Sequence, residues 1–218
     1  MSPKGLISLP EPSHDGAISV ERAIKERRST RHVTNEPVTV EELSQLLWAG
    51  QGVTQATVKS GSVSRHRRRT GHLRAAPSAG ALFPLELCVV VGSAQVIPPG
   101  VYRYLPGEHA LVQSAQGDFR KPLWDVALQQ DPIRRAPITV VIAAVTERTA
   151  VKYGERALRY VHMEVGAAAE NIALQARSVG LGTVLMGAFR DDAVRRLLGL
   201  PSDHHVLAIL PVGHPPPG

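Results

Sequence analysis

Cysteine is almost absent from the 218 residues: Cys88 stands alone, so the chain cannot close an internal disulfide or gather a cysteine metal cluster. Long apolar runs are missing too. The longest, residues 138–145, falls far short of the roughly 18 residues a spanning helix needs. Residues 1–5 carry no signal-peptide apolar stretch. These absences predict a cytoplasmic protein without a membrane partner. The nine histidines are scattered, and neither His204 with His205 nor His162 has a partner set suited to a metal. No GxGxxG follows a strand, and neither a Walker loop nor a nucleophile elbow occurs, so Rossmann and P-loop sites have no support.

Negative charge is missing from one long stretch. No acidic residue falls between Glu42 and Glu86, while Lys59, Arg65, Arg67, Arg68, Arg69 and Arg74 lie there and equal the whole formal net charge of +6. The rest of the chain is neutral. A local basic run among Ser, Gly and Thr, with no aromatic residue to stack on bases, reads as a mobile solvated loop over residues 57–74 and disfavours nucleic acid. A basic nucleic-acid-binding module without cofactor stays as the alternative of another class.

What is present suffices for one domain, since 43% apolar content at this length buries a real core. Ser19 can cap a helix with Val20, Ala23 and Ile24 on one side, and residues 39–42 read as a capping box before Leu43, Leu46, Leu47 and Trp48. Residues 85–92 form a strand, and the pieces at 101–104 and 110–112 a hairpin across Pro106 and Gly107. Residues 119–128 suit an amphipathic helix. The stretch 138–145 is apolar without alternation, as in a strand buried on both faces. The longest helical pattern runs over 157–179, where Gly166 and the three alanines after it allow a close helix approach, in the core or at a subunit interface. Asp191 and Asp192 begin a further helix that Gly199 and Pro201 stop, and 206–212 is a last strand. The order predicts an α+β fold with a mixed or antiparallel sheet.

Four places could carry chemistry. Arg27, Arg28, Ser29, Thr30 and Arg31 crowd cations and hydroxyls as a phosphate monoester requires, or as a basic helix end facing water would. Pro77, Ser78, Ala79, Gly80 and Ala81 open a small-residue bend that lets backbone N–H groups approach a flat ligand, or forms an ordinary turn. Lys152 beside Tyr153 is a proton-transfer pair if partly buried, otherwise a surface turn. Around Met186, Gly187 and Ala188 a glycine among small neighbours exposes N–H donors or packs as a simple strand.

Taken in order, these pieces resemble the FMN-dependent nitroreductase superfamily, and more closely its SagB-type dehydrogenase branch. The likeness rests on residues 27–31, Arg74 with 77–84, Lys152 to Gly154 with Arg156 and Tyr160, Glu164 to Gly166 through Asn171, 180–187 and 211–215. It implies a three-layer sandwich, a central mixed or antiparallel sheet flanked by helices, in an intertwined homodimer with FMN sites built from both chains. Residues 1–18 would be an N-terminal arm and 19–218 the FMN-binding domain. By resemblance the segment of Arg27, Arg28, Ser29 and Arg31 holds the ribityl phosphate. Pro77, Ser78, Ala79, Gly80 and Ala81 line the flavin from the other subunit, and N–H groups of Met186, Gly187 and Ala188 face flavin N5. Many relatives carry Asn at the place of Ala81 and basic residues after the last strand. Here Pro215 and its neighbours follow it, which leaves a phosphate contact for Arg74 or the basic run. The implied activity passes hydride between NAD(P)H or a small organic substrate and N5. The alternative is azoline dehydrogenation on a modified peptide, with Lys152 and Tyr153 catalytic.

Overall fold

The computed structural model describes residues 5–56 and 72–217, so the basic run from 57 to 71 lies outside the described residues. In chain order the elements are β1 (Leu6–Ser8), α1 (Val20–Glu26), α2 (Val40–Gln51), β2 (Val53–Ala56), β3 (His72–Arg74), β4 (Leu85–Val91), β5 (Gly100–Leu105) and β6 (Ala110–Gln116). There follow α3 (Arg120–Val126), α4 (Asp131–Arg135), β7 (Ile138–Ala144), α5 (Glu147–Tyr153), α6 (Ala157–Ser178), β8 (Gly182–Thr183), α7 (Asp191–Leu197) and β9 (His205–Gly213).

Strands β1-β6-β5-β4-β7-β9-β8 make a seven-stranded sheet in which each neighbouring pair is antiparallel. The interior strand β7, between β4 and β9, is buried at every position. Apolar clusters cover both faces, one reaching into α2 and α6 and the other into α3, α4 and α7, which is why β7 shows no alternation. The three-layer α+β sandwich expected from the sequence is therefore the observed fold.

Local chemistry sets several boundaries. Ser19 Oγ accepts the Arg22 amide and starts α1. Thr39 and Glu42 form a reciprocal capping box at α2, with bonds of 3.1 and 2.8 Å, an arrangement in which the cap alone contributes about 1 kcal/mol. Gly50 lets α2 close on α6 and the sheet: a Cβ there would stand 3.0 Å from both the Ile172 and Leu87 Cδ1 atoms.

Four features depart from expectation. The helix over 119–128 stops at Val126, because Leu128 and Gln129 take left-handed backbone conformations. Residues 6–8 of the N-terminal arm pair with β6 as the sheet's edge strand. Residues 72–74, read as part of the basic loop, pair with β2. Beyond β8, residues 184–189 form no continuous strand and Met186 only bridges Ile209. Gly166 has open space where its Cβ would point, so no described segment approaches it. Among the described residues no helix is long and apolar enough to cross a membrane.

Candidate functional site

The early cationic segment leaves α1 and runs along the sheet edge. Ser29 bridges Thr183 in parallel, and the Thr30 amide donates to the Thr183 carbonyl at 2.9 Å. Glycine at 182 permits this approach, because a Cβ would sit 2.6 Å from the Thr30 side chain. Here a cavity of about 180 Å³ opens, lined by Arg27, Arg28, Thr30, Arg177, Gly182 and Glu26 among others. Ser29 and Arg31 are exposed and stand outside that lining. Arg27 reaches Glu170 at 3.5 Å with both groups well solvated, a pair of little energetic weight. Arg28 folds back on the carbonyls of Lys25 and Arg27.

Arg177 is the residue that sequence reasoning missed. It lies in the last turn of α6 and bonds Glu26, whose carboxylate Arg22 and Arg177 hold below its usual range. Only the fold brings it to the cavity. Arg74, in contrast, donates to Gln51 Oε1 at 2.9 Å and stacks over Phe83 at 4.7 Å, and it does not line the cavity.

The bend is a second centre. A short 3₁₀ turn over Ala79–Ala81 places Gly80 at φ +65°, while Ala81 and Phe83 also have positive φ. Ser78 Oγ accepts the Phe83 amide at 2.9 Å. Glu164, 5% exposed on α6, accepts the Ala79 amide at 2.7 Å. Burial pushes the Glu164 carboxyl above its ordinary range, against the pull of the Ala79 amide, the nearby Ser78 and the Arg74 charge. Pro77 is exposed at the entry to the bend.

Lys152 and Tyr153 close on this bend from α5. A Cβ at Gly80 would meet the Tyr153 hydroxyl at 2.9 Å and Lys152 Nζ at 3.0 Å, so only glycine leaves both side chains in place. The lysine ammonium lies 5.1 Å from the centre of the Tyr153 ring, and Tyr160 meets that ring edge-on at 4.9 Å. Lys152 is exposed and Tyr153 half-buried.

The third segment divides. The Met186 amide is spent on the Ile209 carbonyl at 2.9 Å, which removes it as a donor to a ligand. Gly187 and Ala188 are exposed, and open space lies where a Gly187 Cβ would point. Asn171 ties the frame together by donating to the carbonyls of Ala49 and Ala75.

This fold and arrangement belong to an oxidoreductase family. Residues 24–214 match the Nitroreductase family, and the chain is a member of it. A Methanocaldococcus jannaschii protein named as a nitroreductase is 40% identical over 196 residues, spanning 90% of this chain and 91% of its own length. A solved structure from Anabaena variabilis, also named as a nitroreductase, shares 29% identity at a TM-score of 0.74, and the match takes in 90% of this chain but 38% of that longer one. The NADPH:FMN oxidoreductase of Vibrio harveyi, solved with NAD+, has a TM-score of 0.61 at 22% identity over 91% of this chain and 69% of its own, a likeness of fold.

Proposed function

We propose that the protein is a cytoplasmic, FMN-dependent oxidoreductase that works as an intertwined homodimer and passes electrons from NAD(P)H to a small organic acceptor. The observation that carries this reading is the cavity at the β8 edge, where the arginines at 27, 28 and 177 and the Thr30 hydroxyl offer the donors a phosphate monoester needs. The donor set fits FMN: cations for its phosphate, a small-residue bend for its ring, and, for N5, N–H groups at Gly187 and Ala188 that bond no acceptor among the described residues. Residues 19–218 form the flavin domain in this reading, with 1–18 as its arm.

The spacing within one chain supports a site shared between two. At about 1.5 Å rise per residue, Glu164 beneath the bend and Arg177 at the cavity stand roughly 20 Å apart along α6. Val20 and Ile24 on α1, Leu158 and Met163 on α6, and the open face at Gly166 are apolar or bare surfaces left exposed by the described residues. A second copy would cover them and bring its bend to the first copy's arginines.

When bound, FMN supplies hydride chemistry at N5. The chain's own part is then to anchor and orient. Arg27, Arg28, Thr30 and Arg177 would hold the phosphate, with Ser29 and Arg31 exposed beside the cavity. Pro77, Ser78, Ala79, Gly80 and Ala81 lie against the ring, and the Gly187 and Ala188 amides stabilise negative charge there. NAD(P)H-driven reduction of a quinone or nitroarene by the FMN-loaded protein tests this reading. A loaded protein that leaves NAD(P)H unoxidised with either acceptor contradicts it.

A second reading, azoline dehydrogenation on a modified peptide as in the SagB-type branch, is favoured by the contact of Lys152 and Tyr153 with Gly80. There the pair would take the substrate proton as hydride leaves. Lys152→Ala then abolishes azoline oxidation and leaves quinone reduction largely intact; equal loss of both contradicts that division.

A further inference from the structure

We propose that Glu164 is a positioning residue for the ring-facing bend: its buried carboxylate clasps the Ala79 amide, and so sets where Gly80 and Ala81 present their backbone. The inference rests on the flavin reading above and extends it to a side chain outside the ligand-facing set.

The bend is conformationally expensive. Gly80, Ala81 and Phe83 take left-handed conformations at φ +65°, +53° and +46°. Residues other than glycine pay for such backbone, which persists only where its surroundings over-determine it. Several bonds act from within or beside the bend: the Ala81 amide on the Ser78 carbonyl, the Phe83 amide on Ser78 Oγ, and Arg148 on the Phe83 carbonyl. Glu164 differs in kind. It is anchored in the long helix α6 and grips the bend at Ala79, at 2.7 Å.

Burying a carboxylate is costly unless it is bonded, and this one accepts the Ala79 amide of the bend. Lys152 Nζ and the Tyr153 hydroxyl lie at 3.0 and 2.9 Å from where a Gly80 Cβ would stand. The bend thus carries a helix-borne acceptor at Ala79 and, at Gly80, lies beside the pair nearest the proposed chemistry. Reaction geometry tolerates little error there, since a displacement of about 1 Å costs on the order of a hundredfold in rate.

Three variants separate positioning from bulk. Glu164→Gln keeps an acceptor for Ala79, Glu164→Leu removes it at similar size, and Glu164→Asp withdraws the same charge by one methylene. Amide hydrogen exchange over residues 79–83 is measured on cofactor-free protein, and FMN affinity by fluorescence quenching with visible circular dichroism of the bound flavin. Glu164→Leu should speed Ala79 exchange and weaken FMN by about tenfold or more, the scale of a lost hydrogen bond to a charged group. Glu164→Gln should stay within about threefold of the unaltered protein and keep its flavin dichroism, with Glu164→Asp between them. Should the leucine variant fail to fold, the aspartate variant carries the same comparison.

Unchanged exchange and FMN affinity in the leucine or aspartate variant overturn the proposal. An unaltered protein that binds no FMN overturns the functional reading and the flavin part of this one. The exchange arm, which needs no flavin, tells that failure from the absence of the clasp.

Discussion

Arg177 and Glu26 meet across 151 residues of sequence, the guanidinium Nε lying 3.1 Å from the carboxylate that ends α1. The pair stands in the lining of the cavity proposed for the phosphate, so the same arginine can turn from a carboxylate to an anionic ligand.

Arg177→Met should therefore weaken FMN by about 10- to 100-fold, as expected for one hydrogen bond between charged groups. Riboflavin, which has no phosphate, should be unaffected. Glu26→Gln removes a competing negative charge and should tighten FMN. Calorimetric titration with both ligands decides, and equal losses for FMN and riboflavin in Arg177→Met would contradict the assignment.

Left-handed backbone at Ala81, φ +53°, predicts that Ala81→Gly stabilises the fold by about 1 kcal/mol. Gly80→Ala should act in the opposite direction and more strongly, because its Cβ also meets the Tyr153 hydroxyl at 2.9 Å. Urea unfolding of the two variants reads both signs.

A pH dependence follows from His109, which burial holds below its ordinary pKa of 6.5. Its Nδ1 meets the Tyr104 hydroxyl at 2.8 Å, and its Nε2 faces Ser44 Oγ at 2.7 Å and the Pro10 carbonyl at 3.0 Å. The unfolded chain binds this proton more tightly than the folded one. Stability from the group is thus complete above pH 6.5 and declines as pH falls from there through the lowered folded value. His109→Asn should flatten the urea-midpoint profile below pH 6.5.

The elements that sequence made legible are those whose cause is local. Ser19 and Thr39 cap the helices they precede, and β7 announces burial on both faces by its unbroken apolar run. The edge strand at Leu6–Ser8 was not visible, because its pairing with β6 depends on residues more than a hundred positions away. Gly50, rather than Gly166, proved to be the described close approach, since both glycines sit on helices and only packing distinguishes them. In the site, the small-residue bend and the Lys152–Tyr153 pair were readable separately, while their contact at Gly80 needed α5 folded back on the bend. Arg177 carried no local signal, and the commitment of the Met186 amide to Ile209 was equally hidden.

Flavin release is the most direct measurement of the central claim, that this chain holds FMN in the arginine cavity and against the bend. Protein purified in the presence of FMN, freed of excess and denatured, should release about one FMN per chain, as a dimer with two equivalent sites requires. A folded protein that remains colourless after incubation with FMN and releases none would contradict the account.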